Sequence, residues 1–142
     1  MNYVIVYWSR YGHNRRLADR LADRLRERGG EVQVFKTDEV DAAALPDADV
    51  YVFSGPTEAF RVQRDMRGFM KKLGGMDGKK YGIINTHGMK RNWLPSMEKI
   101  LSKRKNMEQV AAADFRVGKD DDGELDFLED WQAKLDAFAD RL

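Results

Sequence analysis

The chain reads as an α/β domain with a doubly wound, five-stranded parallel sheet of order 2-1-3-4-5 between two helical layers. Three observations point there. Short apolar runs such as Tyr3-Val4-Ile5-Val6-Tyr7-Trp8 and Val50-Tyr51-Val52-Phe53 suit strands buried on both faces. Between them lie stretches with apolar residues at helical spacing, as in Leu17, Leu21 and Leu25. Regular alternation of the two requires crossover connections, which make neighbouring strands parallel and cover both faces with helices.

The first strand, Tyr3 to Trp8, gives way to a polar loop from Ser9 to Asn14 and then to a helix reaching about Arg28. The outer face of that helix sets Arg16, Arg20 and Arg24 three residues before Asp19, Asp23 and Glu27, a solvated ion-pair face. Gly29-Gly30 stops it. Glu31 to Lys36 is the second strand, and Asp38 to Pro46 a short connection. The third strand, Asp49 to Ser54, ends at Gly55-Pro56-Thr57. Val62, Met66, Phe69, Met70 and Leu73 then form the buried stripe of a helix closed by Gly74-Gly75.

Lys80 to Thr86 is the fourth strand, followed by a loop from His87 to Trp93 and a helix from about Pro95 to Arg104. Val110 to Val117, less apolar, suits an edge strand, and Gly118 to Gly123 a surface turn. A last helix carries Leu125, Leu128, Trp131, Leu135, Phe138 and Leu142 at spacings of three and four, with Trp131 in the core. No repeat or linker interrupts this series, so residues 1–142 are expected to form one domain.

Composition narrows the chemistry. The chain is 42% hydrophobic and 35% charged, as in a folded globular protein. It has 0 Cys, which excludes disulfides, thiolate nucleophiles, iron–sulfur ligation and Cys-based zinc sites. His13 and His87 are too few for a His-rich metal site, so redox chemistry here would need an organic cofactor. A net charge of +1 gives no reason to expect nucleic acid. No apolar run nears the roughly 20 residues of a membrane span. The N-terminus has neither a basic n-region nor a small-residue cleavage site, so a cytoplasmic location is expected.

In a 2-1-3-4-5 sheet the topological switch lies between strands 1 and 3, and ligands meet the loops after strands 1, 3 and 4. The small polar loops fall there. Ser9-Arg10-Tyr11-Gly12-His13-Asn14 aims free N–H groups and the positive end of a helix at one point, which suits a phosphate. Ser9 and Asn14 can add side-chain hydrogen bonds, and Gly12 permits close approach. A tight β–α turn with an Asn cap fits the same residues.

The run Tyr7-Trp8-Ser9-Arg10-Tyr11-Gly12-His13-Asn14-Arg15-Arg16-Leu17-Ala18 resembles the phosphate signature of the flavodoxin family. It departs from that signature in having Tyr11 where the family usually has Thr, and His13-Asn14 where it has Asn-Thr. The resemblance implies a flavodoxin-like three-layer sandwich binding FMN. It places Ser9, Arg10, Tyr11, Gly12, His13 and Asn14 around the phosphate, with Pro56, Thr57, Glu58, Ala59 and Phe60 beside the ribityl chain and ring. Thr86, His87, Gly88 and Trp93 would border the ring's other side. Tyr11, Phe60 and Trp93 are the candidates for stacking on it.

The implied function is electron transfer between redox partner proteins by a monomer or weak dimer, away from membranes and nucleic acid. The alternative is an FMN-dependent NAD(P)H or quinone reductase acting on a small acidic substrate. Two departures bear on mechanism. Many members have a glycine in the second loop whose peptide flips on reduction, and Thr57-Glu58-Ala59-Phe60 has none. The family is also typically acidic around the flavin, whereas these loops carry Arg10, Arg15, Arg16, Arg61, Arg64, Lys90 and Arg91 against Glu58. Such a basic rim would favour an anionic reduced flavin and steer an acidic partner. Other uses of the fold fit less well. A phosphoacceptor receiver needs acids where Ser9 and Ser54 stand, and a low-molecular-weight phosphatase needs a Cys. A phosphate-binding module without FMN also fits the first loop.

Overall fold

A computed structural model describes all of residues 1–142. Its core is a parallel sheet of β1 (Asn2–Tyr7), β2 (Glu31–Lys36), β3 (Val50–Glu58), β5 (Lys80–His87) and β6 (Glu108–Lys119). Their order, β2-β1-β3-β5-β6, is the expected doubly wound arrangement. Two short antiparallel strands add to it: β4 (Arg61–Val62) pairs with the end of β3, and β7 (Leu125–Phe127) pairs with β6.

The pleat sends alternate residues of each strand into two separate cores. On one face α1 (His13–Glu27) and α4 (Trp131–Ala139) bring Leu17, Leu21, Leu25, Leu135 and Phe138 onto Ile5, Val52, Ile84 and Phe115. On the other, α2 (Arg64–Lys71) and α3 (Leu94–Glu98) bring Met66, Met70 and Met97 onto Val4, Val6, Phe53 and Ile83. Gly82 of β5 lets α4 pack close on the first face: a Cβ there would lie 2.8 Å from Phe138 Cζ.

Four sequence expectations are corrected. β3 runs on to Glu58 and turns back into β4, so Val62 belongs to a strand and not to the next helix. Helix α3 passes at Lys99–Arg104 into a π-helical stretch that still buries Ile100 and Leu101. The edge strand is longer than Val110 to Val117, spanning Glu108–Lys119 and including Gly118.

The last helix begins at Trp131, not near Leu125. Asp130 caps it, its side chain accepting from the Ala133 N–H at 3.2 Å, and Leu125 and Leu128 remain 42% and 47% exposed. A hairpin strand and a helix both read as a spaced apolar series when the strand has only three residues. Trp131 is half-buried and packs against the α1/α4 core. It stacks on Phe127 at 5.0 Å between ring centres, with the Arg16 and Arg20 guanidinium groups over its face. No helix is long and apolar enough to cross a membrane.

Candidate functional site

A cavity of about 510 Å³ opens at the carboxyl edge of the sheet, at the β1/β3 switch point. That volume suits a small-molecule site. Its first wall is the β1–α1 loop, with Ser9, Arg10, Tyr11, His13 and Asn14. Gly12 sits at φ +90°, a left-handed conformation that side-chain-bearing residues rarely adopt, and closes this loop by donating its N–H to Ser9 Oγ at 3.0 Å.

The helix that follows is uncapped, as is the short α3. The amino ends of α2 and α4 are capped by Gln63 and Asp130, whereas α1 has no side-chain cap and no acid in its first turn. The N–H groups of His13, Asn14 and Arg15 find no acceptor in the protein. Unpaired donors and the positive end of a 15-residue helix therefore face one spot, and an anion suits it. Asn14 contributes its backbone there. Its side-chain amide is committed elsewhere, Nδ2 donating to Thr86 Oγ1 at 2.9 Å and Oδ1 accepting from Ser54 Oγ at 2.8 Å. This corrects the expectation that the Asn14 amide points at the ligand.

The second wall is the end of β3, with Pro56, Thr57 and Glu58. Buried Asn85 holds it in place, Nδ2 donating to Gly55 O and Thr57 Oγ1 while Oδ1 accepts the Trp93 N–H at 2.9 Å. Ala59 and Phe60 form the tip of the β3–β4 hairpin and do not line the cavity. Both have positive φ, 49° and 62°, in a two-residue turn between Glu58 and Arg61. Asn and Gly are the residues such a turn favours. Phe60 is 70% exposed.

Thr86, His87 and Gly88 at the end of β5 form the third wall. His87 is 3% exposed and both ring nitrogens are engaged. Nδ1 lies 2.5 Å from Met89 O, which can only accept, so Nδ1 carries hydrogen. Nε2 lies 2.6 Å from Asp114 Oδ2, so the backbone on one side and the carboxylate on the other fix the ring's orientation. Lys134 Nζ stands 3.7 Å from the other Asp114 oxygen. Trp93, a stacking candidate, is instead part of the α2/α3 core, with Arg91 over its outer face. Among the three aromatic candidates only Tyr11 lines the cavity, 71% exposed.

The fourth wall was not foreseen. Val117, Gly118, Lys119 and Leu125 of the β6–β7 hairpin close the side opposite β3. Phe127 anchors this hairpin, meeting His13 edge-on at 5.1 Å and stacking on Trp131. Leu125-Asp126-Phe127 following the turn Asp120-Asp121-Asp122-Gly123 is the available signal, an alternating run after a Gly-containing turn.

Ion pairs reduce the basic rim. Arg10 makes a two-point contact with Glu58, at 2.6 and 2.8 Å, which raises the pKa of its guanidinium. Arg16 meets Asp126 at 2.9 Å, and the Phe127 N–H together with Arg16 lowers the pKa of that carboxyl. Arg15 lies 3.7 Å from Asp19. Arg61, Arg64, Lys90 and Arg91 have no carboxylate partner, so the unpaired positive charge lies on the β3–β4 and β5–α3 side.

The family model for flavodoxin matches residues 5–106 of the chain. Among solved structures, the fold is similar to that of Streptococcus pneumonia TIGR4 flavodoxin, with 22% identity and a TM-score of 0.79 over 100% of this chain and 97% of that one. It is also similar to Flavodoxin 1 from Bacillus cereus, with 16% identity and a TM-score of 0.74 over 99% and 96%. Part of the rubredoxin oxygen:oxidoreductase from Desulfovibrio gigas matches at 16% identity and a TM-score of 0.80, over 99% of this chain and 34% of that one. With its switch-point cavity and a family match covering most of its length, the chain belongs to the flavodoxin family, whose members bind FMN and transfer electrons.

Proposed function

We propose that the cavity holds FMN and that the protein carries electrons between redox partner proteins. The observation that carries this reading is the uncapped amino end of α1. Its unpaired N–H groups at His13, Asn14 and Arg15, with the Ser9 hydroxyl beside them, match a phosphate dianion. Pro56, Thr57 and Glu58 would flank the flavin on one side, with Thr86, His87 and Gly88 on the other and Tyr11 offering a ring to stack on. The β6–β7 hairpin would exclude water from the remaining side.

FMN, once bound, supplies the electron chemistry. The chain's own contribution is to orient and shield. Asn14 and Asn85 fix three loops relative to one another. The His87–Asp114 contact fixes the imidazole in the cavity wall.

Titration of the ligand-free protein with FMN and with riboflavin tests the phosphate reading. FMN should bind one to one with quenching of its fluorescence. Riboflavin should bind at least about tenfold more weakly, because it cannot use the charge-assisted N–H contacts. Equal affinity for both would remove the argument from α1. Steady oxidation of NAD(P)H by the loaded protein alone would make it a reductase and not a carrier.

A further inference from the structure

We infer that the protein docks an acidic protein partner on the outer face of α2 and the tip of the β3–β4 hairpin. The inference rests on the electron-carrier reading for its purpose, though not for its geometry. Arg61, Arg64 and Arg67 lie close enough together that Arg61 and Arg64 add to burial in lowering the pKa of Arg67. None of the three has a carboxylate within ion-pair distance, although the chain pairs most of the arginines on α1. Three guanidinium groups without a carboxylate partner form a local excess of positive charge that an anionic surface offsets on contact.

The stripe continues along α2 to Lys71 and Lys72, which with Arg64 and Arg67 line one wall of a second, open cleft of about 840 Å³. At the other end of the stripe stands Phe60, 70% exposed on its left-handed turn. An exposed aromatic next to arginine in the chain is the residue mixture of protein–protein contacts. The far wall of the cleft sets Asp38 and Asp41 beside Lys36, a lining of both signs that a folded, predominantly acidic protein can match and a uniformly charged phosphate backbone cannot. The hairpin bearing Phe60 grows from Thr57 and Glu58 of the cavity wall, so a partner seated there lies next to the cofactor loops.

The test is association of the full-length protein with two dye-labelled probes of opposite charge, an acidic 2Fe–2S ferredoxin and basic cytochrome c, read by fluorescence anisotropy. The ferredoxin should bind at about 20 mM salt, weaken at about 200 mM as surface charges are screened, and be preferred over cytochrome c. Arg61→Gln with Arg64→Gln should weaken ferredoxin binding at least about fivefold, and Phe60→Ser should weaken it severalfold through faster dissociation. Both Arg61 and Arg64 are exposed and outside the cavity, so the variants should keep their FMN titration. Arg26→Gln with Arg28→Gln, exposed at the end of α1 on the other face of the sheet, is the control.

Preference for cytochrome c, an unchanged affinity in the Arg61/Arg64 variant, or an equal loss in the control would overturn the docking surface. So would displacement of the ferredoxin by an equal concentration of single-stranded oligonucleotide. Failure to bind FMN would sink the carrier reading alone, because the anisotropy assay needs no cofactor.

Discussion

Replacing Asn14 by Ala should cut the tie that holds the three cofactor loops together. Asn14 is 2% exposed, and its amide joins the start of α1 to Ser54 of β3 and Thr86 of β5. The substitution removes two hydrogen bonds, worth about 1 kcal/mol each, and leaves the Ser54 hydroxyl without its acceptor at a wholly buried position. A stranded group of this kind costs about 1–3 kcal/mol, so the loss should be about 3–5 kcal/mol. Urea unfolding of the ligand-free protein measures it. With a slope of about 2 kcal/mol per molar urea, the midpoint should fall by about 1.5–2.5 M.

A double-mutant cycle sharpens the expectation. Ser54→Ala alone should cost about 1–2 kcal/mol, because it strands Asn14 Oδ1. In the Asn14→Ala background the same change should cost nothing or restore stability, because it deletes the orphaned hydroxyl. Additive losses, or a loss below about 1 kcal/mol for Asn14→Ala, would refute the idea that this amide ties the loops.

Replacing Ala59-Phe60 by Asn-Gly should raise stability by about 1–2 kcal/mol in the same assay, since both residues are held at positive φ without the side chains that tolerate it. Gly82→Ala should destabilise by about 1–3 kcal/mol, because its Cβ would meet Phe138 at 2.8 Å. Asp126 titrates below its ordinary range when folded, held down by the Phe127 N–H and Arg16. A lowered pKa contributes stability that is present above the unfolded value and lost as pH falls through the folded one. The urea midpoint should therefore decline below about pH 4, and Asp126→Asn should flatten part of that decline. An Asp126→Asn profile parallel to the unmodified one would show that the hairpin pair adds nothing.

The sheet order was readable because β1, β3 and β5 are continuous apolar runs joined by helical segments, a pattern with few alternative topologies. The site was readable at its first three walls for the same reason, since the end of a buried parallel strand is where polar loops must gather. What the side chains do inside those loops was not. Asn14 reads as a cap or a ligand contact, and only the register of β3 against β5 brings Ser54 and Thr86 to it. Trp93 sits at a loop position suited to stacking, yet Asn85 takes its N–H and the packing of α2 and α3 draws its ring into the core. The fourth wall was obscured because Leu125, Leu128 and Trp131 happen to repeat at a helical interval across a strand, a loop and a helix.

The turn joining β6 to β7 places Asp120, Asp121, Asp122 and Glu124 in solvent at the sheet edge, away from the arginines that follow β3. A formal charge of +1 thus hides a molecule with a negative pole and a positive one. In the field of a charged neighbour such a body turns before it touches, and the sheet edge bearing the turn would trail while the hairpin of β3 and β4 leads. Orientation during approach would then be set by a loop that takes no part in the contact itself.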